Sequence, residues 1–209
     1  MEYHKHSLLL NFDLEAKNIH KYVQENQLAI DVGGNHGLWT YALLKSSMFK
    51  EILVYEPNAA LTNNLEFANY SNVTIVHKAL SNKTDRKILR IPIQGNMMLT
   101  GWASLENKID VETKIFQELV VETIRLDDMN LTKVGFIKID VEGHELDLLE
   151  GARDFFTLNR PVCVIECRDR NRKQMEVYFE SLKVGYKIIN TPEIYGFKMS
   201  PGNFLFSTS

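Results

Sequence analysis

The 209-residue chain is poor in cysteine and proline, with two of the first and five of the second. Cys163 and Cys167 stand four residues apart in the apolar run PVCVIEC. Four strand residues span about 13 Å, while a disulfide needs Cα atoms closer than about 7 Å. The two thiols are therefore expected to stay unpaired while that strand is formed. No second cysteine or histidine pair sits at ligand spacing, so a structural zinc site is not expected. No apolar run approaches the roughly 20 residues that span a bilayer. The N-terminal run Ser7 to Leu10 is shorter than a secretory core, and the expectation is a soluble, cytoplasmic chain. Positive charge is also in short supply: 24 Lys and Arg against 27 Asp and Glu give a net charge of −3. Without a basic excess, nucleic acid is not an expected partner. A Gly-Lys-Ser/Thr triplet is missing throughout, which excludes the phosphate-cradling P-loop. No internal repeat or low-complexity linker divides the chain. One domain over 1–209 is expected, with a helical extension at 1–26 and a core at 27–209. One domain of a longer glycan-processing chain is the alternative.

What is present is a core-forming composition, 44% hydrophobic, arranged as alternating strands and helices. Residues 13–26 place Leu14, Ile19, Tyr22 and Val23 on one helical face. LAIDVGG at 28–34 and EILVYEP at 51–57 are apolar runs ending in an acid and a breaker. Helices are expected at 38–48, at 59–69 (with Asn58 as cap) and at 172–183. A further helix is expected after residue 143, with Leu146, Leu149, Ala152 and Phe155 facing inward. A strand and turn are expected at 73–81, and strands at 86–93, 118–124, 135–143 and 161–167. The tail, 184–209, reads as strands broken by Pro192, Gly196, Pro201 and Gly202. This order predicts a mostly parallel sheet with helices on both faces and an antiparallel finish.

The polar residues fall at informative places. Asp31, Glu56, Asp140 and Glu166 each end a predicted buried strand, and open α/β sheets bind ligands outside those ends. The first loop reads D-V-G-G-N-H-G. Its glycines, and Asn35, tolerate positive φ and let backbone approach a ligand. A dinucleotide loop would read G-x-G-x-x-G; counted from Gly33 or from Gly34, the later glycine positions hold other residues. An acid before the glycines would repel a pyrophosphate and attract a cationic amine, and Glu56 is placed to accept from ribose hydroxyls. A cationic amine beside an adenosine ribose fits S-adenosylmethionine. A nucleotide-sugar or NAD enzyme on a similar sheet is the competing reading, which the glycine spacing disfavours.

The segments DVGGNHGLWT, VYEPNAALTNNLEFAN, HKALSN, FIKIDVEGHELDLLEGA and RPVCVIE, in that order, resemble the FkbM family of S-adenosylmethionine-dependent O-methyltransferases. The resemblance runs from about residue 29 to 167, and IKIDVEGHE is its most specific piece. It implies a class I methyltransferase fold, Rossmann-like, with seven strands and the last antiparallel. It implies methyl transfer to a hydroxyl, often of a sugar or polyketide. A deoxyhexose such as rhamnose on a glycan is the expected acceptor; polyketide, lipid or other small-molecule hydroxyls are the alternatives. Matched residue by residue, it places Asp31, Gly33, Asn35 and Gly37 in the cofactor loop, Glu56 at the ribose, and Ala79, Leu80 and Ser81 near the adenine.

A sugar hydroxyl must lose its proton as the new bond forms, and a placed base typically adds about 10²–10⁴-fold. KIDVEGHE offers Asp140, Glu142 and His144. An Asp140–His144 pair with His144 as base is the favoured arrangement. Asp140 acting directly, or through a divalent metal shared with Glu142 and Glu166, is the other. Lys138 lies two residues before Asp140 on the same strand face and can pair with a rim acid. Gly95 to Ser104 is a candidate lid, with Trp102 able to stack on a sugar ring. Arg168, Arg170 and Arg172 follow a strand end, where they can hold an acidic group or simply form a solvated face.

Overall fold

The computed structural model describes residues 14–62, 69–107 and 112–208. The rest of the 59–69 helix, beyond Thr62, lies largely outside them, as does the N-terminal run before Leu14. The expected helix over 13–26 is shorter than the periodicity suggests. A single turn, α1 (Leu14–Lys17), is followed by a 3₁₀ turn at Ile19–Lys21. Asn18 ends the turn by donating its amide back to the Leu14 carbonyl at 2.7 Å, a local bond that competes with helix continuation. The apolar face still packs: Ile19, Tyr22 and Val23 are buried, while Leu14 is exposed.

The strands are β1 (Gln27–Val32), β2 (Phe49–Tyr55), β3 (Val73–Val76), β4 (Ala79–Leu80), β5 (Asp85–Gln94), β6 (Met97–Met98), β7 (Phe116–Ile124), β8 (Val134–Ile139), β9 (Val162–Glu166), β10 (Lys187–Ile188) and β11 (Asn203–Ser207). Helices α2 (Leu38–Ser46), α3 (Ala59–Thr62), α4 (Glu145–Glu150), α5 (Arg153–Asn159), α6 (Asp169–Ser181) and α7 (Thr191–Tyr195) connect them. Seven strands form one sheet in the order β10-β11-β9-β8-β1-β2-β3. The five from β9 to β3 run parallel, and β11 runs antiparallel to both β9 and β10. β8 and the end of β1 are buried on both faces, as a doubly covered parallel sheet requires. One face packs Leu148, Leu149, Phe155, Phe156 and Phe179. The other packs Trp39, Leu43 and Phe49 around Phe136, whose ring lies 6.0 Å from that of Trp39.

Four strands make a second sheet, β4-β7-β5-β6. Of the strand and turn expected over 73–81, β3 is the strand and belongs to the large sheet; the chain turns at His77–Lys78, and the two residues after it form β4, which starts the small sheet beside β7. The helix after residue 143 is likewise split into α4 and α5. It breaks at Gly151, where an added Cβ would lie 2.1 Å from the Ser81 carbonyl oxygen. In the tail, Pro192 starts α7 rather than interrupting strands, because a proline at the first turn gives up no hydrogen bond. Cys163 and Cys167 are unpaired and buried, as their spacing requires. Among the described residues, no helix is long and apolar enough to cross a membrane.

Candidate active site

β9, β8, β1 and β2 are neighbours in the sheet, so Glu166, Asp140, Asp31 and Glu56 line up along one rim. A crevice opens beside Glu56 and Asp140, which both line it. Gly33, Asn35, Tyr55, Glu56, Ala79 and Leu80 line one part of it, and Thr100, Gly101, Asp140, Glu142 and His144 another.

The glycine loop is built as its sequence demands. Gly33 and Gly37 have φ of 78° and 75°, and Asn35 has 44°. A Cβ on Gly33 would fall 1.8 Å from the Asp140 carbonyl oxygen, so only glycine lets β1 and β8 end side by side here. Asp31 lies beneath the loop rather than on the crevice wall. It is 1% exposed and accepts a hydrogen bond from Thr40 Oγ1 at 2.5 Å. Burial raises its pKa, against the opposing pull of the Thr40 bond and Lys138. Glu56 does face the crevice. Its carboxylate accepts from the backbone amides of Asn35 and Asn58, both at 2.8 Å, and burial raises its pKa despite them. Two oxygens carry about four acceptor directions, so two stay open for ligand hydroxyls. Two buried atoms at this end have no hydrogen-bond partner, Asn35 Oδ1 and the Tyr55 hydroxyl. Orphans of this kind are rare in folded chains. With the glycine backbone and the open sites of Glu56, they suit a ligand bearing amine and hydroxyl groups.

At the other end, Lys138 is 1% exposed and does not reach the crevice. Its ammonium donates to Asn203 Oδ1 at 2.9 Å and lies 3.6 Å from Glu166 and 3.9 Å from Asp140. The same group stands 5.5 Å over the Trp39 ring. The expected pairing with rim acids is present. Asp140 has its pKa raised well above the usual range, first by burial, then by Glu166 and Glu142 against Lys138. Glu142, with φ of 50°, is pushed up to about 7, chiefly by burial and then by Glu166 and Glu145.

Three expectations need correction. His144 does not pair with Asp140. Its Nε2 meets Ser81 Oγ at 2.9 Å and its Nδ1 meets Glu106 Oε1 at 2.7 Å, so both ring nitrogens are already bonded. Ser81 is accordingly fully buried behind the wall that Ala79 and Leu80 form, rather than facing a ligand. Asp140, Glu142 and Glu166 do not close into one ligand cluster. Among the described residues, the only such group of donor atoms is Glu106, His144 and Asp147. The Lys138 ammonium already lies 3.9 Å from Asp140 and 3.6 Å from Glu166 and offsets their charge.

Trp102 sits in a 3₁₀ turn (Thr100–Trp102) whose neighbours line the crevice, and its own ring is 45% exposed. Arg168 stands at the N-terminus of α6, where its charge opposes the burial-driven rise in the pKa values of Glu142 and Glu145. Arg172 pairs with Glu176 on the helix surface. Sequence reasoning missed Tyr55, Thr40, Glu106 and Asn203. Tyr55 alone carried a signal, as the last residue of a strand entering the rim.

A parallel sheet with a reversed final strand, and an acid-glycine loop at its switch point, define a class I methyltransferase. A family model, the Methyltransferase FkbM domain, matches residues 31–188, and the chain belongs to that family. It is 26% identical over 172 residues to Methyltransferase 1 of Beauveria bassiana (strain ARSEF 2860), covering 68% of this chain and 69% of that protein. It is 30% identical over 132 residues to the hexuronic acid methyltransferase AglP of Haloferax volcanii (strain ATCC 29605), covering 61% of this chain and 51% of that one. The chain thus spans about half the length of the Haloferax relative. The crystal structure of an FkbM methyltransferase from Methylobacillus flagellatus superposes with a TM-score of 0.59 at 19% identity, over 87% of this chain and 43% of that one. Membership of that family makes the chain a methyltransferase.

Proposed function

We propose that the chain is an O-methyltransferase whose acceptor is a sugar hydroxyl. The observation that carries the reading is the pair Asp140 and Glu142 on the crevice wall, one of them poised near neutral pH. The hexuronic acid specificity in the name of the Haloferax relative supports a sugar.

S-adenosylmethionine, when bound, supplies a methyl group already activated by its sulfonium. The residues that would hold it are Gly33, Asn35, Tyr55, Glu56, Ala79 and Leu80. The rest is done by this chain. Glu142 takes the acceptor proton on its carboxylate as the hydroxyl oxygen becomes a nucleophile, the task a base of pKa near 7 performs best. Asp140, beside it on the crevice wall, orients the same hydroxyl. Lys138, itself held by Asn203, stands 3.9 Å from the Asp140 carboxylate. The strap over residues 99–107 narrows the crevice and limits water. Much of the rate comes from this positioning, which can contribute roughly 7–11 kcal/mol.

The test is a methyl-transfer screen over a panel of glycans and free sugars with mass detection, run with and without a chelator. Transfer to a sugar hydroxyl that survives the chelator supports the reading. Transfer only to non-carbohydrate hydroxyls, or to nitrogen, overturns it. Loss with the chelator shows that an ion takes part.

A further inference from the structure

The stretch that follows β6, residues 99–107, is fastened at three points. Its backbone at Ser104 exchanges hydrogen bonds with Arg90 at 2.9 and 3.0 Å. Near the glycine loop, His36 Nε2 meets Thr100 Oγ1 at 3.1 Å. Near the acids, Ser104 Oγ donates to the Glu142 carbonyl at 2.7 Å and Glu106 Oε1 meets His144 Nδ1 at 2.7 Å. His144 is 2% exposed, and its other nitrogen holds Ser81, the residue directly after β4. A single imidazole therefore ties together the strand end behind the adenine wall, the loop bearing Glu142, and the strap.

The loop needs such support. Glu142 is a non-glycine residue at positive φ, followed by Gly143 at 103°. A conformation of that kind persists only where its surroundings enforce it. The bonds from Ser104 and Glu106 reach the loop at Glu142 and at His144, on both sides of Gly143. Glu106 itself lies over Gly143, where an added Cβ would come 3.6 Å from Glu106 Cγ.

We propose that His144 is a positioning residue: it bonds the strap through Glu106 and the strand end through Ser81, and so holds Glu142 where an acceptor hydroxyl meets it. The inference rests on the reading of Glu142 given above and adds the device that aims it. It also assigns Glu106, at the far end of the strap, a part in the site.

Hydrogen exchange on the ligand-free chain tests the fastening. The variants are E106A, E106Q, S81A and H144A, followed by peptides covering 99–107 and 140–144. E106A should speed exchange in both stretches about tenfold, as expected for loss of one hydrogen bond of this kind. E106Q, whose amide oxygen can still accept from Nδ1, should restore protection. Glu106 is 39% exposed, so both Glu106 variants keep the fold even where H144A does not. With the acceptor found in the glycan panel, E106A should raise KM and lower kcat, and E106Q should recover both. Unchanged exchange in E106A, or E106Q as damaging as E106A, overturns the proposal. So does an H144A that loses turnover while its strap stays protected, the result a direct base would give. Calorimetry with S-adenosylhomocysteine on the wild-type chain separates the two levels: failure to bind counts against the cofactor reading, and the exchange results stand apart from it.

Discussion

Glu142 carries a carboxyl whose pKa stands at about 7 against an ordinary 4.5, and the shift acts on activity and stability in opposite directions. As a base Glu142 must be ionised, so methyl transfer should rise as pH climbs through about 7. For stability, the folded chain binds more protons here than the unfolded chain does between about pH 4.5 and 7. Stability therefore falls as pH rises across that window, and above it the ionised carboxylate is held at full cost. E142Q removes that cost. At pH 8 its Tm should rise by about 2–4 °C, the change that roughly 1 kcal/mol produces in a chain of this size, with no gain at pH 4. Its turnover should fall about 10²–10⁴-fold, and the dependence on pH near 7 should go with it. Melting curves at the two pH values and a kcat profile check each part. An E142Q that keeps both turnover and its pH dependence places the base elsewhere.

At the level of elements, the glycine loop and the small-sheet hairpin show how differently two glycines at positive φ are used. Gly33 closes the gap between β1 and β8, and a methyl group there meets the Asp140 carbonyl. Gly95 has φ of 61° with nothing within 4 Å of an added Cβ. G95A should cost only the left-handed strain, about 1 kcal/mol. G33A should cost more, about 2–4 kcal/mol, and should abolish S-adenosylhomocysteine binding; melts and calorimetry on the two variants compare them directly. The same contrast explains what the sequence disclosed. Strand ends were legible because β1, β2, β8 and β9 are apolar runs that stop at an acid, and the doubled glycine marked the tight turn between β1 and α2. The partner of His144 was not legible. Ser81 lies 63 residues and Glu106 38 residues away, and nothing in local periodicity says which of several polar side chains fills an imidazole. The small sheet was half visible: β5 and β7 read as strands, but that they pair away from the main sheet depends on the turn at His77–Lys78, which carries no glycine or proline.

For the whole molecule, the rim is assembled by sheet order. The pairing of β1 with distant β8 and with β2 brings Asp31, Asp140 and Glu56 to one edge, while β4 to β7 supply a separate wall with its strap. A ligand lying along that edge touches both sheets and should stabilise the chain as a unit. A compound that binds only the folded chain adds RT ln(1 + [L]/Kd), about 2.7 kcal/mol at one hundred times its Kd. For this length that corresponds to a Tm increase of about 5–10 °C. S-adenosylhomocysteine should produce it and NAD should not, because the loop lacks the glycine spacing for a pyrophosphate. A thermal-shift titration with both reads the difference. The gain should shrink in E56Q, which keeps the bulk of the side chain but loses its charge and some of its acceptor capacity toward a ribose. A full shift in E56Q would place the adenosine elsewhere along the rim, and a shift with NAD equal to that with S-adenosylhomocysteine would remove the chemical argument that separates the two cofactors.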